Sequence, residues 1–205
     1  TVKFHLSFFW IFFFILAVYS NVVKIYLMIF LLMFIHEMGH VVIANLLGHK
    51  VKDIHVYPFG FSATIQHLNH LKPFHIILIL IGGIGFHLVF PLLFKFLYDF
   101  DYISYVYYQY MIQINHSIFL FNLLPIFPLD GGRFLFSLFR VIFNYKFSKH
   151  FTLFISFVCI MILFIYSKLS MKIILIFISY LICIEIIRED EDYVDYQYYQ
   201  RIVSK

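Results

Sequence analysis

The chain has 205 residues, of which 63% are hydrophobic, 22% aromatic and only 13% charged, and its mean hydropathy is +0.91. No water-soluble surface can be built from that composition, so the chain is expected to be an integral membrane protein. The net charge of +4 is small, and Lys and Arg fall in the gaps between apolar runs, which excludes a nucleic-acid partner and fits a lipid bilayer.

Six stretches have the length and apolar density of spanning helices: 6–21, 24–47, 73–98, 103–126, 150–167 and 170–188. The expected fold is therefore all-α and polytopic. A short β-hairpin or extended loop is expected between the second and third spans, and the fourth helix should be broken. The first stretch is followed by no small-residue cleavage site, so it reads as a retained span. Ser20-Asn21 joins it tightly to the second. Cys159 and Cys183 lie alone in apolar runs and read as buried free thiols.

The second span carries the first chemical motif, His36-Glu37-Met38-Gly39-His40. Residues four apart share a helix face, so His36 and His40 can offer two imidazoles to one metal ion with Glu37 beside them. A chance match is the bland alternative, but ionisable groups at that depth are costly and usually functional. Residues 48–72 are too polar to cross, and Ile54, Val56 and the Phe61 to Ile65 run suggest the hairpin. This stretch and its flank also hold His49, His55, His67, His70 and His75 at irregular spacing, which reads as a solvated interfacial loop in preference to a second metal site. In the third span, which opens at Pro73, Gly82, Gly83 and Gly85 permit close backbone approach, either for ordinary helix packing or to shape a substrate groove.

The second chemical segment is NLLPIFPLDGGR, Asn122 to Arg133. Pro125 and Pro128 cannot continue a regular helix and Gly131-Gly132 adds freedom, so the helix should break there and expose Asp130. Two histidines, one carboxylate and a water would complete an open catalytic zinc site. The competing reading makes Asp130 a helix cap. His87, His116 and Glu185 are the serious competitors among the polar groups of the spans, since each lies within an apolar run and can bind zinc; none stands at a comparable break.

HEMGH on an apolar helix, followed about 80 residues later by N-x-x-P-x-x-P-L-D-G, resembles the site-2 protease family of intramembrane metalloproteases, and most of all its sporulation branch. The resemblance covers residues 5–190. It implies Zn2+ held by His36, His40 and Asp130, Glu37 as the catalytic acid/base, and Asn122 and Pro125 as substrate-positioning residues. It also implies a membrane-associated protein substrate, a sporulation sigma-factor precursor, with regulatory membrane proteins as further partners. Gly83 is followed by Ile84 where the family commonly has Gly-Pro. Residues 1–190 would form the protease domain and 191–205 an acidic, Tyr-rich cytoplasmic tail, too short for the nucleotide-sensing domain of that branch. A metal-ion transporter and an inactive membrane scaffold are the alternatives; the intact Glu37 and the confinement of polar groups to two motifs weigh against both.

With a cytoplasmic amino terminus, eleven of the fifteen Lys and Arg, Lys149 among them, fall on the inner side, and only Lys24, Lys95, Lys168 and Lys172 on the outer. The positive-inside rule therefore puts both termini in the cytoplasm and the metal motif toward that face.

Overall fold

The computed structural model describes residues 3–6, 8–57, 60–65 and 71–166, together with Ile176, Ser179 and Ile182, which are helical. Strand β1 (Lys3–Leu6) precedes helices α1 (Phe8–Tyr19) and α2 (Val23–Leu46). Strands β2 (Val51–Tyr57) and β3 (Gly60–Ile65) follow, then α3 (Pro73–Asp99), α4 (Tyr105–Leu123), α5 (Asp130–Ile142) and α6 (Tyr145–Tyr166). The chain divides into two compact units: residues 1–68 with 78–121, and residues 69–77 with 122–205.

Among the described residues, α2, α3 and α6 are long and apolar enough to cross a membrane. The expected first span is shorter than its apolar run, because residues 3–6 are extended and α1 has 12 residues. At 1.5 Å per residue it reaches about 18 Å, short of a hydrocarbon core of about 30 Å. Its tight join to α2 is as expected: Asn21 takes φ 55, a left-handed conformation that Asn tolerates, and Val22 N–H closes onto Ala17 O at 3.0 Å. The fourth stretch becomes α4 and the fifth begins earlier than expected, at Tyr145. The sixth lies outside the described residues apart from Ile176, Ser179 and Ile182.

The expected hairpin is present, with Ile54 opposite Ala63 and Val56 opposite Phe61 in an antiparallel pair. Strand β1 adds to it in parallel, Phe4 opposite Ile54, giving a three-stranded sheet in the order β1-β2-β3. Phe61 of β3 packs on two α2 rings, with centroids 4.5 Å from Phe30 and 4.9 Å from Phe34. That aromatic contact holds the strand against the helix bearing the HEMGH motif. In the same unit Leu32 of α2 packs with Phe90 and Phe94 of α3 under Tyr108, Met111 and Ile112 of α4.

In the second unit a core of Ile126, Phe127, Phe136, Tyr145, Leu153 and Ile160 joins the 124–129 loop to α5 and α6. Helix α5 is a separate 13-residue element that buries Gly131, Gly132, Phe136 and Ser137. Arg140 covers the other end of that core, its guanidinium 5.4 Å from the Phe136 and Tyr145 rings, a cation–π arrangement. Lys149, counted on the inner side, is 1% exposed within α6, with its ammonium 5.8 Å from the Phe127 ring. Cys159 is a partly buried free thiol, and Cys183 lies outside the described residues.

Candidate active site

Helix geometry brings His36 and His40 to one face of α2, where both are buried. Their Nε2 atoms lie 3.2 Å apart. His40 Nδ1 is 2.8 Å from Ile79 O on α3; a carbonyl oxygen only accepts, so that nitrogen carries the hydrogen and a neutral His40 has its lone pair on Nε2. Glu37 completes the group, since one donor atom from each of the three residues lies within 4.8 Å of the others.

These groups fit a zinc ion. With Zn–N bonds of about 2.0–2.1 Å, the edge of a tetrahedron between two nitrogens is about 3.3–3.4 Å, close to the Nε2 separation seen here. The free side-chain volume needed for that geometry comes from glycine. A Cβ on Gly83 would collide with all three nearest ring atoms of His40, and one on Gly39 with the Gly82 carbonyl. Helices α2 and α3 thus meet backbone to backbone, at a point the sequence marked only from the α3 side. Gly85, in contrast, would bring its Cβ within 4 Å of no other element among the described residues.

Glu37 is oriented by a hydrogen bond from Ala63 N–H. Ala63 therefore turns its N–H away from β2 and toward the HEMGH helix, and β3 is the edge strand of the sheet among the described residues. The carboxylate and an outward-facing strand edge are thereby placed side by side.

Comparison with known proteins identifies the family. The Peptidase M50B-like family matches residues 8–121, more than half of the chain, and Peptidase family M50 matches residues 101–166. The chain belongs to this site-2 protease family. Its members are metallopeptidases, and the apolar helices make this one an integral membrane protein. Stage IV sporulation protein FB of Bacillus subtilis (strain 168) is 29% identical over 124 residues, which are 60% of this chain and 43% of that protein. The chain thus spans less than half the length of that relative. The solved structure of Site-2 Protease from Methanocaldococcus jannaschii shares the fold, with a TM-score of 0.60 at 23% identity over 87% of this chain and 86% of that one.

The second chemical segment, Asn122 to Arg133, lies in the second unit. Asp130 is the first residue of α5, and the N-cap position is Leu129, with no side-chain cap. The capping alternative for Asp130 is therefore replaced by a place one residue inside the helix, where a carboxylate still meets the positive end of the helix dipole. The preceding break is built as expected. Ile126 N–H bonds Leu124 O at 2.7 Å and Leu129 N–H bonds Ile126 O at 2.9 Å, with a cis peptide before Pro128. Ser156 of α6 accepts from Phe127 N–H at 2.9 Å and donates to Thr152 O of its own helix at 2.8 Å, with Pro125 O at 3.4 Å. Glycine closes the structure: a Cβ on Gly131 would strike Leu123 O and Leu124 O, and one on Gly132 would strike the Ile126–Phe127 peptide. Asn122, at the end of α4, is 8% exposed.

One residue near the histidines escaped the sequence reading. Asn115 is 3% exposed on α4 and bonds to His87 of α3, which in turn bonds to His36. The sequence offered no distinctive signal, since the same helix also carries Gln109, Gln113 and Asn122. His116, its neighbour, is exposed. Of the loop histidines, His67 and His70 lie outside the described residues, and His49, His55 and His75 join no metal-type donor group among the described residues. Glu185 and the 191–205 tail also lie outside them.

Proposed function

We propose that the chain is an intramembrane zinc endopeptidase that hydrolyses a peptide bond, in or near the bilayer, of a membrane-associated precursor protein. The observation that carries this reading is the pair of buried Nε2 atoms 3.2 Å apart on a membrane-length helix, with a carboxylate in reach. His36 and His40 would hold Zn2+, and Asp130 would be the third protein ligand, leaving one open position. Asp130 is favoured by its place directly after a helix break, with a short side chain on a backbone shaped by two prolines and two glycines.

Bound zinc would lower the pKa of a water far below its bulk value, toward about 7, and polarise the scissile carbonyl. Glu37 accepts the proton as the water attacks and returns it to the leaving amine. A substrate helix must unwind before it can be cut, and its freed backbone groups find no partners in lipid. Adding the unwound segment as a strand along the outer edge of β3 satisfies them, and the Ala63–Glu37 bond shows that this edge adjoins the carboxylate. Asn122 and Pro125 would help to position the same segment. The likeness to a sporulation protein suggests a sigma-factor precursor as substrate, with membrane proteins as regulators.

The ligand set is tested by metal analysis of purified variants. Asp130→Asn should lower metal content and cleavage at least tenfold, in line with effects of about 10–100-fold for weaker perturbations of metal sites, while His116→Ala keeps both. Metal retained in Asp130→Asn and lost in His116→Ala would reassign the ligand. For orientation, a reporter fused after residue 100 should be external and one after residue 145 cytoplasmic, and the reverse pattern would overturn the proposed topology.

A further inference from the structure

The turn before α2 and the first turns of α2 and α4 enclose a cavity of about 540 Å3, within the first unit. That volume suits a small molecule, for which sites run from about 300 to 1,000 Å3. Asn21, Lys24, Tyr107 and Tyr110 supply its polar lining, and Val22 and Val106 part of its apolar lining. No carboxylate lines it.

Lys24 Nζ donates to the Tyr107 hydroxyl at 3.2 Å and lies 5.6 Å from the centroid of the same ring. An ammonium has three donors and no acceptor, so this bond leaves two N–H groups to place, and the Tyr107 hydroxyl still has its own hydrogen to give. On the turn before α4, Asp99 is already paired with Lys95 at 2.8 Å. Lys24 itself forms no ion pair among the described residues. A cavity with an ammonium, two phenols and no anion is complementary to an oxyanion.

Its depth says which kind. Lys24 is the second residue of a helix long enough to cross a membrane, so the cavity lies where hydrocarbon gives way to headgroups, the level that tyrosines also favour. Val22 and Val106 are 43% and 59% exposed beside it, and an aqueous anion would have no use for them. We propose that this cavity binds one anionic phospholipid, with Lys24, Tyr107 and Tyr110 on the phosphate and the acyl chains leaving over Val22 and Val106. A zwitterionic headgroup fits less well, because its own cation would sit beside Lys24 with no carboxylate to receive it. The bound lipid ties the start of α2 to the start of α4. His36 follows Lys24 by twelve residues on the same helix, a rise of about 18 Å, so a headgroup held at Lys24 sets the depth of HEMGH in the bilayer.

The test uses the full chain, delipidated in detergent and titrated with short-chain phosphatidylglycerol, with bound lipid counted by native mass spectrometry. Wild type should saturate at one equivalent, and short-chain phosphatidylcholine should bind at least tenfold more weakly. Lys24→Gln should weaken phosphatidylglycerol binding about tenfold, the loss of one charge-assisted hydrogen bond, and Tyr107→Phe by about 2–10-fold. Lys95→Gln removes an equal charge from α3 and should leave binding unchanged. Should Lys24→Gln fail to fold, Tyr107→Phe against Lys95→Gln decides. Equal losses in the Lys24 and Lys95 variants, or equal binding of the two lipids, would reduce the effect to general attraction and overturn the site. Displacement of the lipid by inorganic phosphate at the same concentration would make this a free-anion site and overturn the lipid as its occupant.

Discussion

In the first unit the HEMGH histidines sit on an unbroken helix and are oriented by partners on other elements: Ile79 O for His40, His87 for His36 and Ala63 N–H for Glu37. In the second unit the main chain does most of this positioning. Asp130 reaches a helix start because Pro125 and Pro128 end α4, short loop hydrogen bonds turn the chain, and Gly131 and Gly132 let α5 begin against the turn itself. The contrast teaches that long, rotatable side chains need fixed partners, whereas a short carboxylate needs a fixed backbone. Substitutions should therefore damage the two regions in different currencies, metal affinity in the first and folding stability in the second.

The largest separation is expected at Gly83. Its alanine variant drives a methyl into the His40 ring, and metal affinity measured by chelator competition should fall at least tenfold, comparable with loss of an orienting partner. Unfolding in detergent should shift less than that loss implies. Gly131→Ala should do the reverse, lowering stability by about 1–3 kcal/mol through a backbone clash while a His36–His40 metal pair remains measurable. Ser156→Ala comes next, because it leaves the buried Phe127 N–H without its acceptor, worth about 1–3 kcal/mol. Gly85→Ala is the smallest: with open space at its Cβ, it should leave metal binding unchanged and stabilise α3 by up to about 1 kcal/mol. Equal losses of metal in Gly83→Ala and Gly85→Ala would erase the distinction.

Much of this was legible in the sequence because the signals are local. The i, i+4 spacing of His36 and His40 fixes one helix face whatever surrounds it, two prolines stop a helix wherever they occur, and alternation from Ile54 to Ile65 marks a hairpin whose partners are close in sequence. The unread features depend on partners far away. Strand β1 was hidden in an apolar run because its parallel partner β2 lies some 50 residues on. Asn115 has meaning only beside His87, 28 residues earlier on another helix. Gly39 lay within the metal motif, but its role needs the Gly82 carbonyl. The burial of Lys149 beside Phe127 was hidden as well, because charge alone cannot reveal that a long side chain is enclosed.

The account stands most directly on the division of labour between Glu37 and the histidines. Cleavage of a membrane-anchored peptide substrate by wild type and Glu37→Gln, with metal content measured on the same purified samples, addresses it in one experiment. Glu37→Gln should retain about one metal per chain and lose cleavage by roughly 10²–10⁴-fold, the range for removing a general acid/base. Turnover within a few fold of wild type at full metal occupancy would contradict the assignment of Glu37, and with it the proposed chemistry.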